Sequence, residues 1–204
     1  MRYGMAVDLT RCIGCNACAM ACKVSNNLPK DIWWNQVRND GGEHFDTASG
    51  TYGENRMVFY PVNCMHCENP SCVDVCPTGA SIKREDGIVV IERDACIGCG
   101  SCISACPYDV RKLQEGEPAF YVDFAIGDPA APAHIANTVG KCDFCAGRLA
   151  RDEKPACMEL CPGRARYWGN LDDPDSEISK VLVSKSVEVL KEEAGTSPSF
   201  FYLS

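Results

Sequence analysis

Apolar and polar positions along the chain group over short stretches only, which predicts many short elements rather than a few long ones. Residues 3–9 (Tyr-Gly-Met-Ala-Val-Asp-Leu) read as a strand, and Ala17–Val24 as one or two helical turns. Residues 25–55 are polar and rich in Gly and Asn, with Trp33 and Trp34 embedded. Arg56–Val62 is apolar and β-prone, so a second strand is expected there. From Ala80 onward, two apolar runs flank Asp86-Gly87. This pattern predicts a hairpin in which Asp-Gly supplies the positive φ of a type I′ turn. Residues 113–139 form another insert, with Ala, Pro and Gly at 127–133 breaking any regular element. Arg164–Leu171 reads as a strand. Ser176–Glu193 has helical spacing, with Ile178, Val181, Leu182, Val187, Val189 and Leu190 available to pack. Phe200–Leu203 reads as a terminal strand.

The chain has 204 residues, the length of one or two modest domains. Its sixteen cysteines change the picture, because all of them fall into four groups and none is left over. The groups are Cys12, Cys15, Cys18 and Cys22; Cys64, Cys67, Cys72 and Cys76; Cys96, Cys99, Cys102 and Cys106; and Cys142, Cys145, Cys157 and Cys161. A proline follows the fourth cysteine of motifs two, three and four (Pro77, Pro107, Pro162), whereas motif one carries Lys23 there. The segment from Cys96 to Cys106 repeats that from Cys12 to Cys22 in all but four places, the mark of a duplicated unit.

Three thiolates spaced by two residues on a curled loop can point at three corners of one cube. The fourth, a helical turn further on, aims at a neighbouring cluster. Gly14, Gly98 and Gly100 let the backbone approach closely enough for its N–H groups to face cluster sulfurs. Each motif therefore points to a cubane 4Fe–4S cluster, and the chain to electron transfer through four of them.

The competing reading is zinc held by four cysteines, and motif four, with its long spacer, is the least diagnostic against it. Zinc knuckles need neither a third cysteine three residues on nor a trailing Cys-Pro. Disulfides are disfavoured. The first ten residues contain no apolar run long enough for a secretory signal, Asp8 interrupts them, and no twin-arginine pair is present. No stretch is apolar enough to span a membrane. A net charge of −8 argues against nucleic acid. There is no phosphate-binding glycine loop, dinucleotide fingerprint or nucleophile–base pair.

His66, inside motif two, is read as a neighbour of the ligands rather than a ligand, and His44 and His134 as surface residues. Trp33 and Trp34 either pack beneath a loop or stack on a partner, with packing favoured. Lys23, Lys83, Arg84, Arg111, Lys141 and Arg148 lie near the motifs. Each either tunes a cluster or is ordinary solvated charge.

Met-Ala-Val-Asp-Leu-Thr-Arg-Cys-Ile-Gly-Cys, Asn-Cys-Met-His-Cys-Glu-Asn-Pro-Ser-Cys, Asp-Ala-Cys-Ile-Gly-Cys-Gly-Ser-Cys and Lys-Cys-Asp-Phe-Cys resemble the iron–sulfur beta subunits of the dimethyl sulfoxide reductase superfamily. The resemblance covers essentially the whole chain. Gly169–Pro174 and Glu193–Thr196 look closest to the arsenate reductase and catechol dehydroxylase branches. It implies an α+β fold of two ferredoxin-like modules with loop inserts and a C-terminal helix and strand tail. Residues 1–30 with 140–175 would form one module and 58–112 the other, with inserts at 31–57 and 113–139 and a tail at 176–204.

The resemblance also implies crossed ligation. One cluster would take Cys12, Cys15, Cys18 and Cys161, and its neighbour Cys142, Cys145, Cys157 and Cys22. The other pair would take Cys64, Cys67, Cys72 and Cys106, then Cys96, Cys99, Cys102 and Cys76. Some relatives replace the second cysteine of motif three by tryptophan and hold a 3Fe–4S cluster. This chain keeps Cys99, so four cubanes are expected.

The implied partners are a large catalytic subunit holding molybdenum or tungsten on a bis-pterin, and a membrane anchor or other electron donor. The implied place is peripheral to the cytoplasmic membrane, reached by export with a twin-arginine partner; the alternative is cytoplasmic. A stand-alone polyferredoxin carrier is the alternative function, and the two long inserts and the structured tail speak against it.

Overall fold

The computed structural model describes residues 1–40 and 47–204, so His44 lies outside the described residues. In chain order the elements are β1 (Tyr3–Asp8), α1 (Ala17–Ser25), β2 (Gln36–Asn39), β3 (Phe59–Val62), α2 (Ser71–Asp74), β4 (Ser81–Lys83), β5 (Val89–Ile91) and α3 (Ser101–Ser104). They continue with β6 (Lys112–Gln114), β7 (Thr138–Gly140), α4 (Ala146–Leu149), α5 (Ala156–Glu159), β8 (Arg166–Asn170), α6 (Glu177–Ser184), β9 (Val187–Glu188) and β10 (Phe200–Leu203). Mixed short helices and strands of this kind fit the α+β class.

The largest sheet has the order β8-β1-β10-β9. The two chain ends meet at its centre, where β1 runs parallel to β10 with Met5 opposite Phe200 and Val7 opposite Tyr202. The period-two alternation of a strand explains what each face does. Met5, Val7, Phe200 and Tyr202 turn towards the cysteine-bearing core. Ala6 and Leu203 turn the other way, onto Ile178 of α6. Leu203 is fully buried, so Leu203→Ala is expected to cost about 2–5 kcal/mol. The check is faster loss of near-ultraviolet circular dichroism on heating.

Four sequence expectations are refined. The hairpin β4–β5 forms, with Ser81 opposite Ile91, but its turn is not type I′. Gly87 N–H donates to Arg84 O, Arg84 N–H donates to Ile88 O, and within the loop only Gly87 has a positive φ. This is a type I turn closed by a glycine bulge, which places one left-handed residue where type I′ needs two.

The helix expected over 176–193 ends at Ser184. Ser176 caps its start by accepting from Ser179 N–H. Beyond it, β-branched Val187 pairs with Leu203 as an edge strand, which uses backbone groups that further helix would have consumed.

Short ladders form where the sequence reads as insert: β2 pairs with β3, and β6 with β7 across the base of 113–139. His134 is no plain surface residue. Its ring lies 5.7 Å from Trp34, and its Nε2–H donates to Asn26 O (2.9 Å), which ties the second insert to the end of α1. Trp34 is buried, as the packing reading expects.

Candidate metal centres

The loops of motifs one and three curl through left-handed residues at matched places: Gly14 and Asn16 (φ 67° and 59°), and Gly98 and Gly100 (φ 66° and 75°). A Cβ on Gly98 would sit 2.2 Å from Asn137 O, and one on Gly14 would sit 2.6 Å from the Phe59 ring. These two positions therefore need glycine for space as well as for φ. Short helices α2, α3 and α5 each carry the third cysteine of a motif and stop before the Cys-Pro step, because proline cannot extend the hydrogen-bond ladder.

Lys23, in place of that proline, lets α1 run nine residues, through to Ser25. Its buried ammonium donates to Lys30 O (2.8 Å), Ile32 O (2.9 Å) and Pro29 O, and lies 4.5 Å from the centre of the Trp33 ring. Burial pulls its pKa below the ordinary lysine value, while Asp31 and Cys22 oppose the shift.

All sixteen thiols are free of disulfides. The structure brings the fourth cysteine of each motif to the other motif of its pair. Cys12 interacts with Cys18 and with Cys161, and these line one cavity together with Cys15, Pro162 and Arg166. Cys22 interacts with Cys142, Cys145 and Cys157. Cys67 interacts with Cys64, Cys72 and Cys106, and Cys99 with Cys76. Motif one thus faces motif four and motif two faces motif three. The thiols of the first set line one shared space, which suits the ligands of a polynuclear cluster.

The four sets follow one another. Cys157 of the second set interacts with Cys18 of the first, and Cys142 of the second with Cys64 of the third. Arg111 is close to Cys72 and Cys64 of the third set and to Cys102 of the fourth. At the join between modules, Asn63 Nδ2 donates to Cys64 O (3.0 Å) and approaches Cys142 Sγ (3.8 Å). His66 accepts from Val89 N–H at Nδ1 (3.1 Å), so its Nε2–H is the nitrogen facing Cys142 Sγ (3.8 Å). Burial, with Lys141 and Arg111 nearby, holds that imidazole well below the ordinary histidine pKa, and it is neutral. These contacts fit a residue beside the ligands.

Backbone donors reach the sulfurs as well: Ala165 N–H to Cys161 and Ser81 N–H to Cys76 (both 3.4 Å), and Val139 N–H to Cys96 (3.5 Å). Burial pushes the thiols of Cys67 and Cys145 up to about 12, and those of Cys22 and Cys142 well above the ordinary value. Thiolates form there only when a metal takes the proton's place, so metal uptake releases protons.

The cations sort by partner. Lys83 pairs with Glu68 (2.8 Å), Arg84 with Asp86 (2.6 Å), and Arg148 with Glu153 and Glu159, so these are carboxylate-bound surface charges. Lys141 donates to the carbonyls of Val89 and Cys142. Arg111 is different: its guanidinium donates to Cys72 Sγ (2.9 Å) and to Ser81 Oγ (2.7 Å).

Sequence reasoning missed Arg166, which lines the first cavity and bonds Asn63 Oδ1 (2.7 Å). Burial works against its charge. The thiolates of Cys157 and Cys18 outweigh that effect and hold its pKa above the ordinary arginine value. The available signal was an arginine five residues after the fourth cysteine in both motif three and motif four. Among the described residues, buried Nη1 of Arg111, and Nε and Nη1 of Arg166, find no hydrogen-bond partner. Unanswered donors facing thiolates suit an anionic cluster, so the residues present fit 4Fe–4S groups.

Comparison with known proteins points to the same cofactor. Two models of a 4Fe-4S dicluster domain match, over residues 11–80 and 55–120. A protein of Halobacterium salinarum named as a dimethyl sulfoxide reductase iron–sulfur subunit is 42% identical, over 98% of this chain and 78% of its own length. A polysulfide reductase chain of Wolinella succinogenes is 40% identical, over 98% of this chain and 93% of its own. The iron–sulfur subunit of the arsenate respiratory reductase of a Shewanella species is 34% identical, over 100% and 96%.

Proposed function

This chain is a member of the family of iron–sulfur (beta) subunits of the dimethyl sulfoxide reductase superfamily, and from that premise we propose how it conducts electrons and between which partners. It is an electron-transfer subunit with four 4Fe–4S clusters, and it is not the catalytic subunit. The clusters supply one-electron oxidation and reduction when bound. This chain's residues supply spacing, burial and charge.

The proposed ligand sets are Cys12, Cys15, Cys18 and Cys161; Cys22, Cys142, Cys145 and Cys157; Cys64, Cys67, Cys72 and Cys106; and Cys76, Cys96, Cys99 and Cys102. The observation that supports a continuous path is Asn63 Nδ2, which reaches Cys64 O (3.0 Å) and Cys142 Sγ (3.8 Å) and so links a cysteine of one module to a cysteine of the other. At the two ends of this order lie the exposed cysteines, Cys15 and Cys99. Each lies two residues after an equally exposed isoleucine, Ile13 at 67% and Ile97 at 65%. Electrons enter near one of these ends and leave near the other. Cys99→Ser is expected to alter the electron paramagnetic resonance of one cluster only; a wild-type spectrum would refute the assignment.

The proposed partner is a large catalytic subunit carrying molybdenum or tungsten on a pterin, fed by a membrane anchor or another donor. The complex would sit at the surface of the cytoplasmic membrane. Among the described residues no helix is long and apolar enough to cross a membrane. The test is anaerobic purification of the tagged protein from its host, with co-eluting proteins and metals identified. A large subunit with molybdenum or tungsten supports the proposal. Iron protein recovered alone points to a diffusible carrier.

A further inference from the structure

The chain contains two buried arginines that occupy equivalent places in the two modules. Arg111 lies five residues after Cys106, and Arg166 lies five residues after Cys161. One immediately precedes β6 and the other opens β8, so each side chain is held by a strand leaving a cluster loop. Arg111 is 1% exposed and Arg166 7%.

Among the described residues, their hydrogen-bond partners are cysteine sulfurs, a hydroxyl and an amide oxygen, and no carboxylate is among them. Among the described residues, the remaining donors, Nη1 of Arg111 and Nε and Nη1 of Arg166, have no hydrogen-bond partner. Every other cation singled out near the motifs is satisfied by carbonyls or carboxylates. An uncompensated buried guanidinium is expensive, and only a nearby anion offsets that cost.

Each guanidinium also lies between two cysteine sets. Arg111 touches Cys72 of the third set and is close to Cys102 of the fourth. Arg166 lines the cavity ringed by Cys12, Cys15, Cys18 and Cys161, and is close to Cys157 of the second set. A cubane with four thiolates carries about −2 when oxidised and one further negative charge when reduced. A fixed cation therefore favours the reduced form.

We infer that Arg111 and Arg166 are shared counter-cations, one per module, each raising the reduction potentials of both clusters of its own module. This rests on the ligand sets proposed above. They are positioning residues: they accept no electron and act through the charge they hold between two clusters.

The test is an anaerobic redox titration followed by electron paramagnetic resonance on the complete chain, in its complex. Arg111→Gln and Arg166→Gln are each compared with the lysine variant at the same position. Each glutamine variant is expected to lower two of the four potentials, with different pairs moving in the two variants. The lysine variants should stay near wild type. A shift of none, one or more than two potentials, or of the same pair in both variants, overturns the inference.

If a glutamine variant fails to load its clusters, the wild-type protein labelled with ¹⁵N-arginine decides by hyperfine spectroscopy of the reduced state. Coupling to guanidinium nitrogen is expected in clusters of both modules, and its absence overturns the inference. Failure of the ligand sets themselves would look different: fewer than four clusters in the wild-type protein, before any arginine is changed.

Discussion

Cys161→Ser is expected to remove or convert the cluster held by Cys12, Cys15 and Cys18, at the other end of the sequence, and to leave the cluster of Cys142, Cys145 and Cys157 in place. The cavity that Cys161 lines is the one walled by motif one, with Cys12 close to it. The converse variant, Cys22→Ser, should strike the cluster of motif four, because Cys22 faces Cys142, Cys145 and Cys157. Each change should lower bound iron by roughly a quarter or convert one cubane to a three-iron form. Electron paramagnetic resonance and iron analysis of both variants check this. Ligation of each cluster by the four consecutive cysteines of one motif predicts the opposite pattern, with each serine affecting the cluster of its own motif.

Iron removal should have the largest effect on stability. The principal core contains Cys18, Cys22, Cys64, Cys142 and Cys157 beside Trp34, Met65 and Phe144, and a second cluster contains Cys72 and Cys102. Without metal, burial keeps the Cys72 and Cys157 thiols protonated, and Arg111 and Arg166 lose the negative charge beside them. Stranded charges of this kind cost about 3–5 kcal/mol each. Together they are comparable to the roughly 5–15 kcal/mol that holds a typical domain folded. The apo-protein is therefore expected to lose cooperative structure in both modules. Protection should survive longest where Ala6, Ile178 and Leu203 pack without any cysteine. Hydrogen exchange before and after anaerobic chelation measures this, and unchanged protection around Cys64–Cys106 would contradict it.

The parts of the fold that local sequence dictates were legible in advance. β1, the β4–β5 hairpin and the terminal strand each follow from an apolar run and its flanking turn residues. Less legible were features decided by distant partners. Whether Val187 continues a helix or joins a sheet depends on Leu203, and nothing near Val187 encodes that pairing. The β2–β3 ladder is hidden because Gln36–Asn39 looks polar; its strand character comes from pairing with Phe59–Val62.

The cluster ligands were legible because metal chemistry imposes spacing directly on the chain. That the fourth cysteine leaves for a neighbouring cluster is in the spacing; which motif pairs with which is not, and came through family resemblance. Lys23 looked like an irregularity of motif one; its reason is a set of carbonyls over residues 29–32 that only the folded loop assembles. Arg166 was missed because it stands just outside motif four, whose long spacer hides its likeness to motif three.

The most direct test of the account is a joint count of iron, acid-labile sulfide and reduced spins in the anaerobically purified protein. Four cubanes predict roughly sixteen iron and sixteen sulfide per molecule, and full reduction should produce four interacting paramagnetic clusters. Stoichiometric zinc, or iron and sulfide at half that level with isolated rather than interacting spins, would contradict a continuous four-cluster path.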